Sequence, residues 1–257
     1  KDFDLLKEWA RSVDGTGVHI WPQINHPGRQ AFAAINRQTV APSAIPLKMG
    51  SVSKLFKVPV ALTEDAIWDI IKRFGTTARI LKEAGFTGCQ IHAAHGYLVS
   101  QFLSPNSNVR TDQWGGSTAN RARFVLEIYR EIRRQVGADY PIGIKINSAD
   151  FQRGGFTEEA SMEVIRLLGD EGIDLIEISG GTYEQPAMIK GDRKKSTIER
   201  EAYFLDYIKK ARKLIKTPLL LTGGFRSVSV MENALEEGHL DVVGLARPFC
   251  LYPNLAN

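Results

Sequence analysis

Two histidines three residues apart, His92 and His95, close the apolar run at residues 88–92, and Tyr97 stands two residues beyond the second. Placed at a strand end, such a pair can converge on one point, where two kinds of chemistry are open to it. Imidazoles ligate metals, although no carboxylate or cysteine stands beside these two in sequence as a third ligand. Their ring N–H groups can instead hold and polarise a carbonyl or nitro oxygen and stabilise the charge that develops on it. Tyr97 could then supply a proton to the carbon end of the same system. A satisfied histidine pair beside a turn is the structural alternative.

A second set suits an anion. Gly223 and Gly224 follow the run at residues 218–222 and precede a helical stretch, so their exposed backbone N–H groups and the helix N-terminus can cradle a phosphate. Ala246 and Arg247 end the next run, and the guanidinium adds a charge-assisted fork. A tight turn that needs glycine dihedrals would leave the same two glycines. Gln23 and Lys145 point to a planar polar partner. A glutamine amide offers a donor and an acceptor side by side, as a uracil-like ring edge requires. A lysine inside a sheet core is costly without an anionic partner; a Schiff-base nucleophile is the other reading of Lys145.

These residues lie at the carboxyl ends of short runs rich in Val, Ile and Leu, at residues 18–24, 88–92, 142–146, 175–179, 218–222 and 241–245. Each run is followed by an amphipathic stretch, the pattern of parallel strands alternating with helices. Thr63 and Thr157 are helix-opening residues with acids behind them, and Gly85 and Gly172 close the corresponding helices. Residues 1–13 predict a helix feeding the first strand. The expected fold is therefore α/β, a TIM (β/α)₈ barrel, whose active sites gather at the carboxyl ends of the strands. Six strand–helix units are legible where eight close a barrel. The expectation is that the first two strands and the last helix fall outside this sequence. An open six-stranded sheet wound on both sides is the alternative.

Residues 1–257 read as one partial barrel domain with a loop or hairpin insertion at about residues 26–62, where prolines and a glycine exclude a helix. The long connection at residues 180–196 is a candidate substrate loop, with Tyr183 a candidate contact.

Composition narrows the function classes. Hydrophobic residues make up 43% and charged residues 24%, ordinary for a globular enzyme, and the net charge of +4 is spread over predicted helix faces. That distribution argues against a nucleic-acid surface. No apolar stretch spans a bilayer, and the two cysteines, Cys89 and Cys250, form no metal-binding or redox motif. A cytoplasmic protein acting on a small molecule is expected, with no nucleic-acid, membrane or metal partner and with self-association open.

The ordered set Gln23-Ile24-Asn25-His26-Pro27-Gly28-Arg29, His92-Ala93-Ala94-His95-Gly96-Tyr97-Leu98, the stretch from Phe102 through Asp112, and Trp114-Gly115-Gly116-Ser117 with Asn120-Arg121-Ala122-Arg123-Phe124 resembles the Old Yellow Enzyme family of FMN-dependent NAD(P)H oxidoreductases. The resemblance covers essentially the whole chain, beginning near the family's third barrel strand. It implies an ene-reductase, in which NAD(P)H reduces FMN and hydride passes to the activated C=C of an enone, nitroalkene or similar electrophile. It implies that Gln23 binds the flavin pyrimidine edge and that Lys145 sits near flavin N1 and O2, where a cation stabilises the anionic reduced ring; the Schiff-base reading then falls away. Gly223, Gly224, Ala246 and Arg247 are implied to hold the FMN phosphate. His92 and His95 would bond the substrate's activating oxygen, and Tyr97 would be the proton donor or a substrate contact. Residues 110–123 are implied to be mostly structural. Ala246 departs from the glycine that many relatives carry there. A non-catalytic flavin-binding barrel, or a metal- or Schiff-base-dependent barrel lyase, are the competing functions.

Overall fold

In the strand Ile142–Asn147 the isoleucines at 142, 144 and 146 have no solvent exposure, while Gly143, Lys145 and Asn147 alternate with them. The alternation gives the strand one apolar face and one polar face. Cys89 and Ile91, Ile176 and Ile178, and Leu219 and Leu221 repeat the apolar face on neighbouring strands, all fully buried. Helices must cover that face, so each strand is followed by one.

The computed structural model describes residues 2–182, 184 and 204–255. The chain runs through α1 (Asp2–Arg11), β1 (Gln23–Ile24), β2 (Val40–Ala41), β3 (Val60–Ala61), α2 (Glu64–Ala84), β4 (Cys89–Ala93), α3 (Leu98–Leu103) and α4 (Thr118–Val136). It continues through β5 (Ile142–Asn147), α5 (Glu158–Asp170), β6 (Leu175–Ser179), α6 (Leu205–Leu214), β7 (Leu219–Thr222), α7 (Val228–Glu236), β8 (Val242–Gly244) and α8 (Arg247–Leu251). Strands β1-β4-β5-β6-β7-β8 form one parallel sheet in that order. Each strand's neighbour is the next main strand in the chain, so right-handed crossovers stack the helices on one face. A sheet wound on both sides would reverse its order at a switch point; this one does not. The architecture is α/β, a succession of TIM-barrel units.

Local signals act as expected. The Thr63, Ser117 and Thr157 side chains accept from the backbone N–H three residues on and open α2, α4 and α5. Gly85, at φ 102°, ends α2 in the left-handed region. The side chains of α2 and α4 interleave over the sheet, with Ile67, Ile71, Phe124, Ile128 and Ile132 fully buried or nearly so. Phe102 of α3 stacks on Phe124 at 4.0 Å between centroids. Phe124→Ala removes a ring from this junction and is expected to cost about 3–5 kcal/mol in a denaturant titration.

Three features refine the sequence expectation. The first apolar run forms a ladder only at Gln23–Ile24, because Pro22 lacks an N–H and Val18 stands exposed. Of the loop or hairpin expected for the insertion, β2 and β3 do not make the hairpin: they pair parallel, Val40 beside Val60 and Ala41 beside Ala61, and a parallel pair cannot be joined by a tight turn. Helix α3 carries no amphipathic period because all six of its residues are buried. Among the described residues, no helix is long and apolar enough to cross a membrane.

Candidate active site

The polar faces of the strands meet in register. His92 sits beside Lys145, Lys145 beside Glu177, and Gln23 beside Gln90 one step earlier. The side chains join into a chain of hydrogen bonds. Gln23 Nε2 donates to Gln90 Oε1 at 2.5 Å, and Gln90 Nε2 donates to Glu177 Oε2 at 2.8 Å. Lys145 Nζ lies 2.7 Å from Glu177 Oε1, and Thr222 Oγ1 donates to the same oxygen at 2.6 Å. Glu177 is 7% exposed and joins β4, β5, β6 and β7 through one carboxylate. This is the anionic partner that an interior lysine requires. A lysine so engaged is poorly placed to act as a Schiff-base nucleophile.

Above this row, the chain leaves β4 through two successive left-handed residues, His95 at φ 61° and Gly96 at φ 78°. A histidine there is strained by about 1–3 kcal/mol and must be held by its surroundings. The holding contacts are explicit. The His95 N–H donates to Asn147 Oδ1 at 3.2 Å, and its carbonyl accepts from Gln30 Nε2 at 3.2 Å. Its Nε2 lies 2.8 Å from Ser179 Oγ. Asn147 Nδ2 in turn donates to the Gly181 carbonyl at 3.0 Å. Gln101 of α3 ties the turn to the first motif, donating to the carbonyls of Gly96 and Pro27 and accepting from the Arg29 N–H.

The His92 ring is 5.2 Å from that of His95 and 4.9 Å from that of Tyr97, centroid to centroid. His92 is 4% exposed, and its Nδ1 has no partner among the described residues. Burial, then His95, then Lys145 hold His92 down to about 3. Burial and then Lys145, opposed by Glu177, hold His95 down to about 4. Both rings are therefore neutral near pH 7, each with one N–H to give and one nitrogen to accept. Among the described residues, no group of three or more His, Cys, Asp or Glu could hold a metal ion.

Gly223, Gly224, Ala246 and Arg247 line one cavity of about 320 Å³, together with Thr222, Arg226 and Gly244. Gly223 at φ 132° and Gly224 at φ 85° adopt backbone conformations that other residues avoid. Gly244 has no room for a side chain: a Cβ there would lie 1.9 Å from Thr222 Oγ1. Ala246 has φ −130°, so the position needs no glycine. Thr222 both lines this cavity and bonds Glu177, so the phosphate-type cradle is continuous with the inner polar row. Thus Gln23, Lys145, His92, His95 and Tyr97 come together at one end and the four cradle residues at the other. Tyr183 lies outside the described residues.

Residues 110–123 act on the scaffold. Arg110 Nη1 donates to the carbonyls of Pro42 and Leu62, and its Nε and Nη2 grip Asp112. Arg121 Nε donates to the Leu103 carbonyl and Arg123 Nε to that of Gln113. Sequence reading passed over Glu177 and Gln90. The signal was available, since a glutamate inside the run Leu-Ile-Glu-Ile-Ser needs a buried cation as much as Lys145 needs an anion.

The profile of the NADH:flavin oxidoreductase / NADH oxidase family matches residues 2–257. The chain belongs to that family. It is 40% identical to the NADH-dependent flavin oxidoreductase iccE of Talaromyces variabilis over 97% of this chain and 64% of that protein. The structure of a 2-naphthoyl-CoA reductase bound to 2-naphthoyl-CoA is similar at a TM-score of 0.87, with 31% identity, over 96% of this chain and 38% of the other. The Old Yellow Enzyme homologue of Zymomonas mobilis shares the fold at a TM-score of 0.78, with 24% identity, over 96% of this chain and 68% of the other. The chain thus spans less than two thirds of the length of the Talaromyces relative.

FMN and NAD(P)H are the cofactors of this family, and the residues present fit FMN. Gly223 and Gly224, at positive φ, line one cavity together with Arg247, Gly244 beside them has no room for a Cβ, and the inner row offers amide and ammonium groups for a ring edge. Arg247→Ala in the full-length protein is expected to weaken FMN binding roughly tenfold to a hundredfold, the worth of a hydrogen bond to a charged group. Titration of flavin fluorescence measures it.

Proposed function

We propose that this chain is the flavin-binding barrel of an FMN-dependent NAD(P)H oxidoreductase that reduces the activated C=C of an enone, nitroalkene or similar electrophile. The observation that carries the reading is the buried, neutral His92, with an unpartnered Nδ1, set against His95 and Tyr97 on the polar face that also holds Gln23 and Lys145. When bound, FMN supplies the hydride that the protein itself has no group to provide.

The protein's own residues bind, orient and move a proton. A neutral imidazole pair presents N–H donors to the substrate's activating oxygen without placing a proton on it in the ground state. Its preorganisation comes from Asn147, Gln30 and Ser179, which hold His95 in its left-handed turn. Tyr97, whose ring lies 4.9 Å from that of His92, is the acid for the α-carbon. Lys145 and Gln23 hold the ring edge, and Gly223, Gly224, Ala246 and Arg247 hold the phosphate. Tyr183 contributes to substrate fit. Cys89 and Cys250 are unpaired, which suits a cytoplasmic enzyme of small molecules.

The test is anaerobic. The full-length protein is reduced with NADH or NADPH and then mixed with an enone. Reoxidation that depends on the alkene supports the proposal, and reoxidation by oxygen alone sinks the ene-reductase assignment.

A further inference from the structure

Glu177 is a buried carboxylate with three donors on it, and none of the roles above uses it. Lys145 and Thr222 share its Oε1, and Gln90 takes its Oε2. Two consequences follow from chemistry alone. A carboxylate paired with an ammonium is an acceptor only. Gln90 must therefore turn its NH₂ to Glu177, leaving its carbonyl for Gln23. Gln23 then spends one N–H on Gln90 and turns its own carbonyl, with the second N–H, to whatever lies on the inner face. The polarity of the amide at the ring-edge position is thus set two residues away, by Glu177. The second consequence concerns charge. A Lys145 ammonium alone would present a full positive charge to the site, but with Glu177 at 2.7 Å the pair is close to neutral at a distance.

We infer that Glu177 is a positioning residue of the flavin site, which fixes the hydrogen-bonding face of Gln23 through Gln90 and compensates the charge of Lys145. The inference rests on the reading that FMN lies along this row. It gives Lys145 the role of a directed donor within a neutral pair, and it makes the reduction potential of bound FMN a property of Glu177 as much as of Lys145.

The potential is the readout, because a merely structural glutamate would not move it in a defined direction. Wild type, Glu177→Gln, Lys145→Met and the double variant are compared as FMN-loaded full-length proteins, by equilibration with redox dyes. Glu177→Gln unmasks Lys145 and is expected to raise the preference for reduced over oxidised FMN roughly tenfold, about 30 mV for a two-electron couple. Lys145→Met leaves Glu177 unpaired and shifts the preference about as far the other way. The double variant, neutral like the wild-type pair, returns to near the wild-type value. A Glu177→Gln potential at or below that of the wild type overturns the inference. Where Glu177→Gln does not fold, a double variant with the same potential as Lys145→Met overturns it equally. A wild-type protein that holds no FMN sinks the functional reading and this inference together, whereas a yellow wild type with an unmoved Glu177→Gln potential sinks this inference alone.

Discussion

His92→Ala in the full-length protein is expected to lower kcat/KM for an enone by about a hundredfold to a thousandfold, the usual effect of deleting one donor from an oxyanion-stabilising site. The loss follows from placement. The ring is buried, and its Nδ1 finds no partner among the described residues; under the proposed function that nitrogen goes to the substrate. His95 lies 5.2 Å away, centroid to centroid, but its Nε2 is engaged with Ser179, so it cannot replace His92 without giving up that contact. His95→Ala is expected to produce a smaller loss, and the double variant less than the product of the two, because the pair acts on one oxygen. His92→Asn restores part of the rate, since a carboxamide also donates an N–H.

The pH dependence separates a neutral donor from an imidazolium acid. With His92 held at about 3 and His95 at about 4, neither changes charge between about pH 5 and 8. The kcat/KM profile should then carry no histidine limb in that interval. A limb near pH 6.5 that vanishes in His92→Asn would show that the charged ring is the working form and would overturn the assignment.

Much of this site was legible because its residues announce themselves at strand ends. Hydrophobic runs gave the strands, and Thr63, Thr157 and Gly85 gave the helix limits. With those in place, His92, Lys145, Gly223 and Arg247 had to share one mouth. What escaped was set by register and by tertiary contact. Glu177 meets Lys145 only because β5 and β6 align those two positions, a relation that no single run encodes. The strain at His95 likewise depends on Asn147 and Gln30, which are distant in sequence. Helix α3 was obscured because it is buried on every side, which removes the period that reveals a surface helix. For the insertion the sequence leaves loop and hairpin both open, because proline and glycine mark turns without saying whether the strands they separate run parallel.

Lowering the pH from about 7.5 to about 5 should remove about 4 kcal/mol of folding stability through His92 and His95 together. An unfolded histidine titrates near 6.5, and the folded values of about 3 and about 4 lie below it, with burial the first cause in each case. Between these limits the unfolded chain binds more protons than the native one. Stability contributed by the two neutral rings is therefore complete above about pH 6.5 and is lost as the pH falls towards the folded values, at up to about 1.4 kcal/mol per pH unit for each ring. His26, also lowered chiefly by burial, acts in the same direction. Asp150 acts in the opposite direction, because burial raises its carboxyl and the folded state takes up that proton first as acid is added. Asp112, Glu131 and Glu171 are lowered by arginine partners and lose their contribution only further into acid, so the histidines dominate the first steps below neutrality. Urea midpoints at the two pH values measure the effect, and His92→Asn and His95→Asn should each remove about half of it. A double variant that loses as much stability as the wild type would place the acid sensitivity elsewhere. It would also undercut the claim that the pair is buried in its neutral form, on which the flat kcat/KM profile depends.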